Sequence, residues 1–145
     1  MNNISQRIIS IFLYTFPLKA SLPFGYYLFI QYPALKMINY IALPFYLIED
    51  SIPFGSILIF FIIFLGLARN PKVTYFIRYN ACQAILLNIA LILLGYIVQI
   101  SQLSELSSLL FVISILVFIF VTIKCLLGLE PEIPLISKSA RIQIY

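Results

Sequence analysis

"RNPKVTYFIRYNACQAILLNI", residues 69–89, places three cations, Arg69, Lys72 and Arg78, just ahead of an apolar run, and seeds the start of that run with the amides Asn80, Gln83 and Asn88. Asn70-Pro71 is a turn signal. Behind it, IPFGSILIFFIIFLGLA (52–68) carries no charge, and ahead of it residues 79–100 carry none either. A helix rising 1.5 Å per residue covers a hydrocarbon layer of about 30 Å with roughly 20 apolar residues. A cationic turn between two such runs reads as a helical hairpin set in a bilayer.

Composition extends that reading to the whole chain. Of 145 residues, 63% are hydrophobic and 10% charged, whereas a soluble domain carries about a quarter charged residues. So few charges cannot solvate the exterior of a domain this size in water; they suffice if lipid is the solvent. The expected fold class is all-α, a polytopic membrane protein in a single integral-membrane domain, 1–145. Four transmembrane helices are expected at about 32–48, 52–68, 79–100 and 106–127. Lys36, Asn39 and Pro44 interrupt the first, and Pro53 stands in the opening turn of the second, where its missing N–H costs least. In the N-terminal region, 1–31, the apolar segments are split by Pro17, Lys19 and Pro23 and read as one or two interfacial helices, with a fifth span as the competing reading. The tail, 128–145, contains Pro131 and Pro134, which forbid continuing the last helix, and reads as an extended segment.

The charges between these runs alternate. Arg7, Lys19 and Lys36 precede the first span, Glu49 and Asp50 follow it, Arg69, Lys72 and Arg78 follow the second, and Glu105 follows the third. Lys124, Lys138 and Arg141, tempered by Glu130 and Glu132, close the chain. Positive loops stay on the side of synthesis, so both termini and the 69–78 loop are expected on one side, and the number of spans is even. A fifth span would break the alternation. The start of the chain shows neither the small-residue cleavage pattern of a signal peptide nor a Ser- and Arg-rich amphipathic leader.

Amides facing lipid leave donors and acceptors unpaired, so Asn80, Gln83 and Asn88 are expected to look into the bundle or a wet cavity. Two roles remain open for them: hydrogen bonds between helices, worth about 1 kcal/mol each, or a polar face lining a conduit. Arg69, Lys72 and Arg78 are expected to set topology or contact a partner. Pro131, Glu132 and Pro134 are candidates for docking the tail. Enzyme chemistry has little support. Histidine is absent, no carboxylate lies deep in an expected span, Cys82 has no histidine to activate it, and Cys82 and Cys125 read as packed thiols. No metal or other cofactor is expected. The nine Lys and Arg form no basic block, which gives nucleic acid no footing.

Four stretches, "LPFGYYLFIQYPAL", "SIPFGSILIFFIIFLGLARN", "FIRYNACQAILLNI" and "PEIPLIS", resemble the TIC20 family, membrane subunits of the translocon at the inner envelope membrane of chloroplasts, and its cyanobacterial relatives. The FIR-aromatic-Asn-x-x-QAILL element is the most specific. The resemblance implies a four-helix subunit with both termini stromal, working with other translocon subunits and membrane lipids on translocating preproteins. Arg78, Asn80, Gln83, Pro53, Phe54, Arg69, Asn70 and the 131–134 segment stand at matching positions, which implies a structural or conduit-lining role and no catalytic one. Cys82 and Asn88 depart from the family pattern. The implied location is the plastid inner envelope, or a cyanobacterial plasma membrane. A small-solute or ion carrier of the same membrane is the alternative function, with only amides and Ser114 to offer a substrate.

Overall fold

The structure, a computed structural model, describes residues 2–144, and every regular element among them is helical. The first helix, α1, runs Ile4–Ser21. At its start the Gln6 side-chain carbonyl accepts the Asn3 backbone N–H at 3.3 Å, one half of a capping box. The expected split at Pro17 does not occur. Pro17 lies inside α1, in a buried stretch from Leu13 to Leu18. A proline forfeits one hydrogen bond and crowds the preceding turn, but this stretch is held on both sides by neighbouring helices, and packing overrides propensity there. A short 3₁₀ segment, Leu22–Gly25, leads into α2, Tyr26–Gln31. Together Ile4–Gln31 forms a run long and apolar enough to cross a membrane, instead of two short interfacial pieces.

The next two runs differ most from their expected form. A 3₁₀ segment, Pro33–Met37, precedes α3, Ile38–Ser51. Then comes α4, Gly55–Phe61, which continues as a π-helical stretch, Ile62–Ala68. Pro33–Ser51 and Gly55–Ala68 meet at 111° and are apolar enough for one membrane crossing only when taken as a pair. The bend has local causes. Ile52 is extended (φ −132°, ψ 130°), as a residue before proline prefers; Pro53 follows, and Phe54 adopts a left-handed φ of 59°. Gly55 is obligatory here, since a Cβ on it would lie 2.5 Å from the Glu49 Cα. In the π stretch the Arg69 N–H reaches the Phe64 carbonyl, five residues back, at 2.9 Å.

The two remaining long helices match their expected positions closely. Helix α5 spans Tyr75–Ser101 and α6 spans Ser104–Leu126, and each is long and apolar enough to cross. A left-handed Gln102 (φ 56°) reverses the chain between them, and Glu105 sits in the first turn of α6, where it complements the helix dipole. Helix α6 ends in a Schellman motif: Gly128 (φ +73°) donates to the Cys125 carbonyl and Leu129 to the Lys124 carbonyl, both at 2.9 Å.

The tail is corrected by the structure. It is irregular only around Pro131 and Pro134; Ile136–Ile144 forms a further helix, α7. The prolines follow a helix already closed at Gly128 and do not forbid another, and Ile136, Ala140 and Ile144 recur every fourth residue, the spacing of one helical face. Ser137, Ala140 and Ile144 are buried against the bundle.

Helix α1 lies between α5 and α6, α3 crosses α1, the π extension of α4 packs on α5, and α7 covers the start of α5. One core cluster joins Leu13, Tyr14, Phe45, Phe76, Tyr79 and Val121, and another joins Leu22, Ala42 and Phe111. The ends of the bundle are chemically distinct. At one pole the Asn2 amide donates to the Gly128 carbonyl (3.0 Å), Arg7 to Leu126 (2.9 Å) and Arg78 to Ile144 (2.7 Å). The start of α1, the start of α5, the end of α6 and α7 therefore meet there, with Arg69 and Lys72 on the adjoining loop. At the other pole Ser107 donates to the Phe24 carbonyl at 3.0 Å.

Candidate functional site

Asn80 and Gln83 are three residues apart on α5, one turn along the same face. Both have no exposed surface. The Tyr14 hydroxyl of α1 lies 2.9 Å from Asn80 Oδ1 and 3.2 Å from Gln83 Oε1. The Asn80 amide donates to the Phe76 carbonyl one turn back, at 2.7 Å. The Gln83 amide donates to Ser137 Oγ at 2.9 Å and to the Pro131 carbonyl at 3.2 Å. Tyr79 donates to the same Pro131 carbonyl at 2.9 Å, and the Ile133 N–H reaches Ser137 Oγ at 2.6 Å. These side chains tie α1, α5 and the tail into one buried network. Cys125 of α6 adds its thiol, 3.6 Å from Asn80 Oδ1.

Asn88 does not join this network. At 100° per residue it stands about 80° around the helix from Asn80 and about 140° from Gln83. It is 6% exposed and lines a separate cavity of about 570 Å³, together with Phe16, Lys19, Glu49, Ser56 and Phe60. In that cavity Lys19 Nζ pairs with Glu49 Oε2, while Glu49 Oε1 is buried with no hydrogen bond. Lys19 also lies 5.2 Å from the centre of the Tyr46 ring. Lys19 is about 22 Å along α1 from Ile4, and Asn88 about 20 Å along α5 from Tyr75, so the ion pair sits at half-height. The expectation that no carboxylate lies deep in the bundle is thus overturned. The 111° bend carries Glu49 inward to Lys19 instead of leaving it on a connecting loop.

The cations of the opening stretch take different tasks. Arg78 donates to the Ala68 carbonyl at 3.3 Å and to that of Ile144, clamping the π stretch and α7 to α5. Arg69 stacks over the Phe64 ring at 5.3 Å. Lys72 is exposed, and its backbone N–H donates to Asn70 Oδ1 at 3.0 Å. In the tail, Pro131 is buried and Pro134 exposed, while Glu132 and Glu130 pair with Arg141 at 2.8 and 3.3 Å. Hydrogen bonding to Glu132 raises the Arg141 pKa further, so that guanidinium stays charged at any working pH. Its cation lies 5.6 Å from the Tyr79 ring centre.

Ser114 donates to Leu110 within its own helix at 2.7 Å and faces an apolar cavity of about 200 Å³ between α1, α5 and α6. Cys82 and Cys125 are buried free thiols, and the side-chain partner of Cys82 is Gln143, at 3.6 Å. Among the described residues no group of three His, Cys, Asp or Glu could hold a metal ion. Sequence reasoning missed Tyr14, Ser137, Lys19 and Glu49. Only a hydroxyl set in the apolar run of α1 hinted at Tyr14, since each of these contacts joins distant parts of the chain.

Comparison with known proteins gives this architecture a family. Residues 4–140 match a family described as chloroplast import apparatus, Tic20-like. The chain is 33% identical to a Tic20 family protein of Synechocystis sp., with 96% of this chain and 92% of that one aligned. It is 32% identical to the protein TIC 20-II, chloroplastic, of Arabidopsis thaliana (97% of this chain, 73% of the relative). The identity to TIC 20-v, chloroplastic, of the same plant is 28% (97% and 71%). With α1 to α6, the cationic turn and most of the tail inside the matched region, the chain belongs to the Tic20 family.

Proposed function

We propose that the chain is a non-enzymatic core subunit of a preprotein translocon, contributing one flank of the protein-conducting path across the chloroplast inner envelope, or across the plasma membrane if the host is a cyanobacterium. The observation that carries this reading is the family match over 4–140, which includes both polar regions of the bundle. The physical need is plain. An extended polypeptide crossing hydrocarbon leaves peptide groups unpaired at several kcal/mol each unless water or protein meets them. Helices α1, α5 and α6 close on a packed core with buried Asn80 and Gln83, so the path would run along the bundle, with other subunits completing it. Both termini would face the stroma, with Arg69, Lys72 and Arg78 holding that orientation.

Copurification tests this. A preprotein arrested during import is expected to elute with the chain from gently solubilised membranes, together with further subunits. A chain that elutes alone under conditions that retain the arrested preprotein elsewhere would sink the proposal. One observation favours the alternative of a small-solute or ion carrier: the Lys19–Glu49 pair at half-height is the type of buried charge that often marks a permeation route. Flux of a defined solute through liposomes holding this chain alone would favour that alternative.

A further inference from the structure

Asn88 is 94% buried by its 6% exposure, yet its carboxamide makes no hydrogen bond among the described residues. It faces the half-height cavity of about 570 Å³ bounded by α1, α4 and α5. Buried amides are normally paired, and one left alone costs the desolvation of its donor and acceptor. Glu49, on the same cavity, keeps a second carboxylate oxygen without a partner. The unpaired donor and acceptor open to this space are those of the Asn88 carboxamide, since the free Glu49 oxygen is fully buried.

The rim identifies how that space is reached. Ile57, Phe61 and Ile92 line the cavity and are 55%, 50% and 45% exposed, so it opens sideways between α4 and α5. Its walls are apolar, with Phe16, Phe60 and Ile89. A lipid acyl chain would suit the walls and leave the amide unpaired. A headgroup would have to descend about 20 Å along α5 to reach it.

We propose that this groove binds an extended stretch of polypeptide backbone, with the Asn88 carboxamide pairing a peptide group. A peptide group carries the donor and acceptor that a carboxamide complements, and an extended strand repeats them every 3.2–3.4 Å or so. The Lys19–Glu49 pair presents both signs of charge beside it, and the apolar walls set no side-chain pattern. Such a site grips the main chain and tolerates any sequence. This rests on the import reading and adds to it the place of contact and the chemistry recognised.

The test is cysteine crosslinking in import-competent membranes, using a transit-peptide precursor fused to dihydrofolate reductase and locked by methotrexate. The precursor carries single cysteines along its mature part, and a short bismaleimide joins them to S56C or I92C in the groove, or to L109C or I123C on the exposed face of α6. At least fivefold more adduct at the groove positions supports the proposal. In S56C, adding Asn88→Leu is expected to lower the adduct severalfold, and Asn88→Gln to retain most of it. Adducts at α6 positions alone overturn the groove while leaving the import reading intact. Adducts at none of the four positions, with the precursor arrested, remove both. Adducts at Ser56 unchanged by Asn88→Leu overturn the role given to the amide, as does a photoreactive lipid that labels the groove equally with and without precursor.

Discussion

At the scale of single residues, the amides of the opening stretch separate into two kinds. Asn80 and Gln83 were legible as inward-facing, because oil offers them nothing, but their partners were not. Tyr14 lies 66 residues from Asn80, and the Pro131 carbonyl is a backbone group that no sequence pattern marks. Removing one hydroxyl should show how tightly the network holds. Tyr14→Phe leaves Asn80 Oδ1 and Gln83 Oε1 short of a donor in a buried network, and is expected to destabilise the protein by about 1–2 kcal/mol, read as a lower melting temperature in detergent. An unchanged melting temperature would mean that Cys125 or water replaces the hydroxyl at no cost. The Lys19–Glu49 pair makes a sharper case. Breaking a buried pair from one side strands a charge at a cost of about 3–5 kcal/mol, while replacing both partners by apolar groups is often neutral. Lys19→Met should therefore destabilise strongly, and Lys19→Met with Glu49→Met should recover most of the loss. Equal loss in the single and double variants would show that the pair holds the bend through packing and not through charge.

At the scale of elements, sequence served best where a helix stands on its own run of residues. Residues 79–100 and 106–127 became the cores of α5 and α6, since long uninterrupted apolar runs have few other ways to satisfy their backbone. It served worst where prolines had to be weighed. Pro17 looked like a break and is held inside α1 by buried neighbours. Pro53 looked harmless at a helix start, yet with Ile52 and Phe54 it forms a 111° bend. Pro131 and Pro134 looked like the end of helical structure and hid α7, although Gly128 is what closes α6. What distinguishes these prolines is the neighbouring chain, and that is not local information. Gly55 marks the bend most directly. Gly55→Ala would drive a methyl into the Glu49 backbone, 2.5 Å from its Cα and 2.6 Å from its carbonyl oxygen. Backbone cannot rotate aside as a flexible side chain does, so the loss is expected at the upper end of overpacking, about 3 kcal/mol. The bend should also open, moving Glu49 away from Lys19. The measure is melting temperature together with the efficiency of a short bismaleimide crosslink between Lys19→Cys and Glu49→Cys in the presence and absence of Gly55→Ala. A crosslink that forms equally well in both would show that the turn at 52–54 relaxes without moving Glu49.

At the scale of the whole molecule, the charge count anticipated that both ends of the chain meet at one pole, and it did so from a different assignment of the inner charges. Lys19 was placed before the first span and Glu49 after it, whereas the structure joins them at half-height. An even count requires the bent pair to be one crossing: Ile4–Gln31 becomes long enough to span, while the runs around 32–48 and 52–68 reach spanning length only as a single bent unit. The two arrangements place Lys36 on opposite sides of the bilayer. If residues 1–31 lie in the interface, Lys36 stays on the side of Arg7 and Arg69. If Ile4–Gln31 crosses, Lys36 follows α2 to the pole where Ser107 meets Phe24. Single cysteines at Lys36, Ser139 and Ser104, labelled by a membrane-impermeant maleimide in sealed right-side-out and inverted vesicles, decide between them. The bundle predicts that Lys36→Cys is labelled in the same vesicles as Ser104→Cys and protected where Ser139→Cys reacts. Labelling of Lys36→Cys together with Ser139→Cys would return the N-terminal region to the interface. Pro33–Ser51 and Gly55–Ala68 would then have to cross separately, and Glu49 would be drawn out to a connecting loop. The pair with Lys19 could not form at half-height, and the groove beside Asn88 would lose its charged wall.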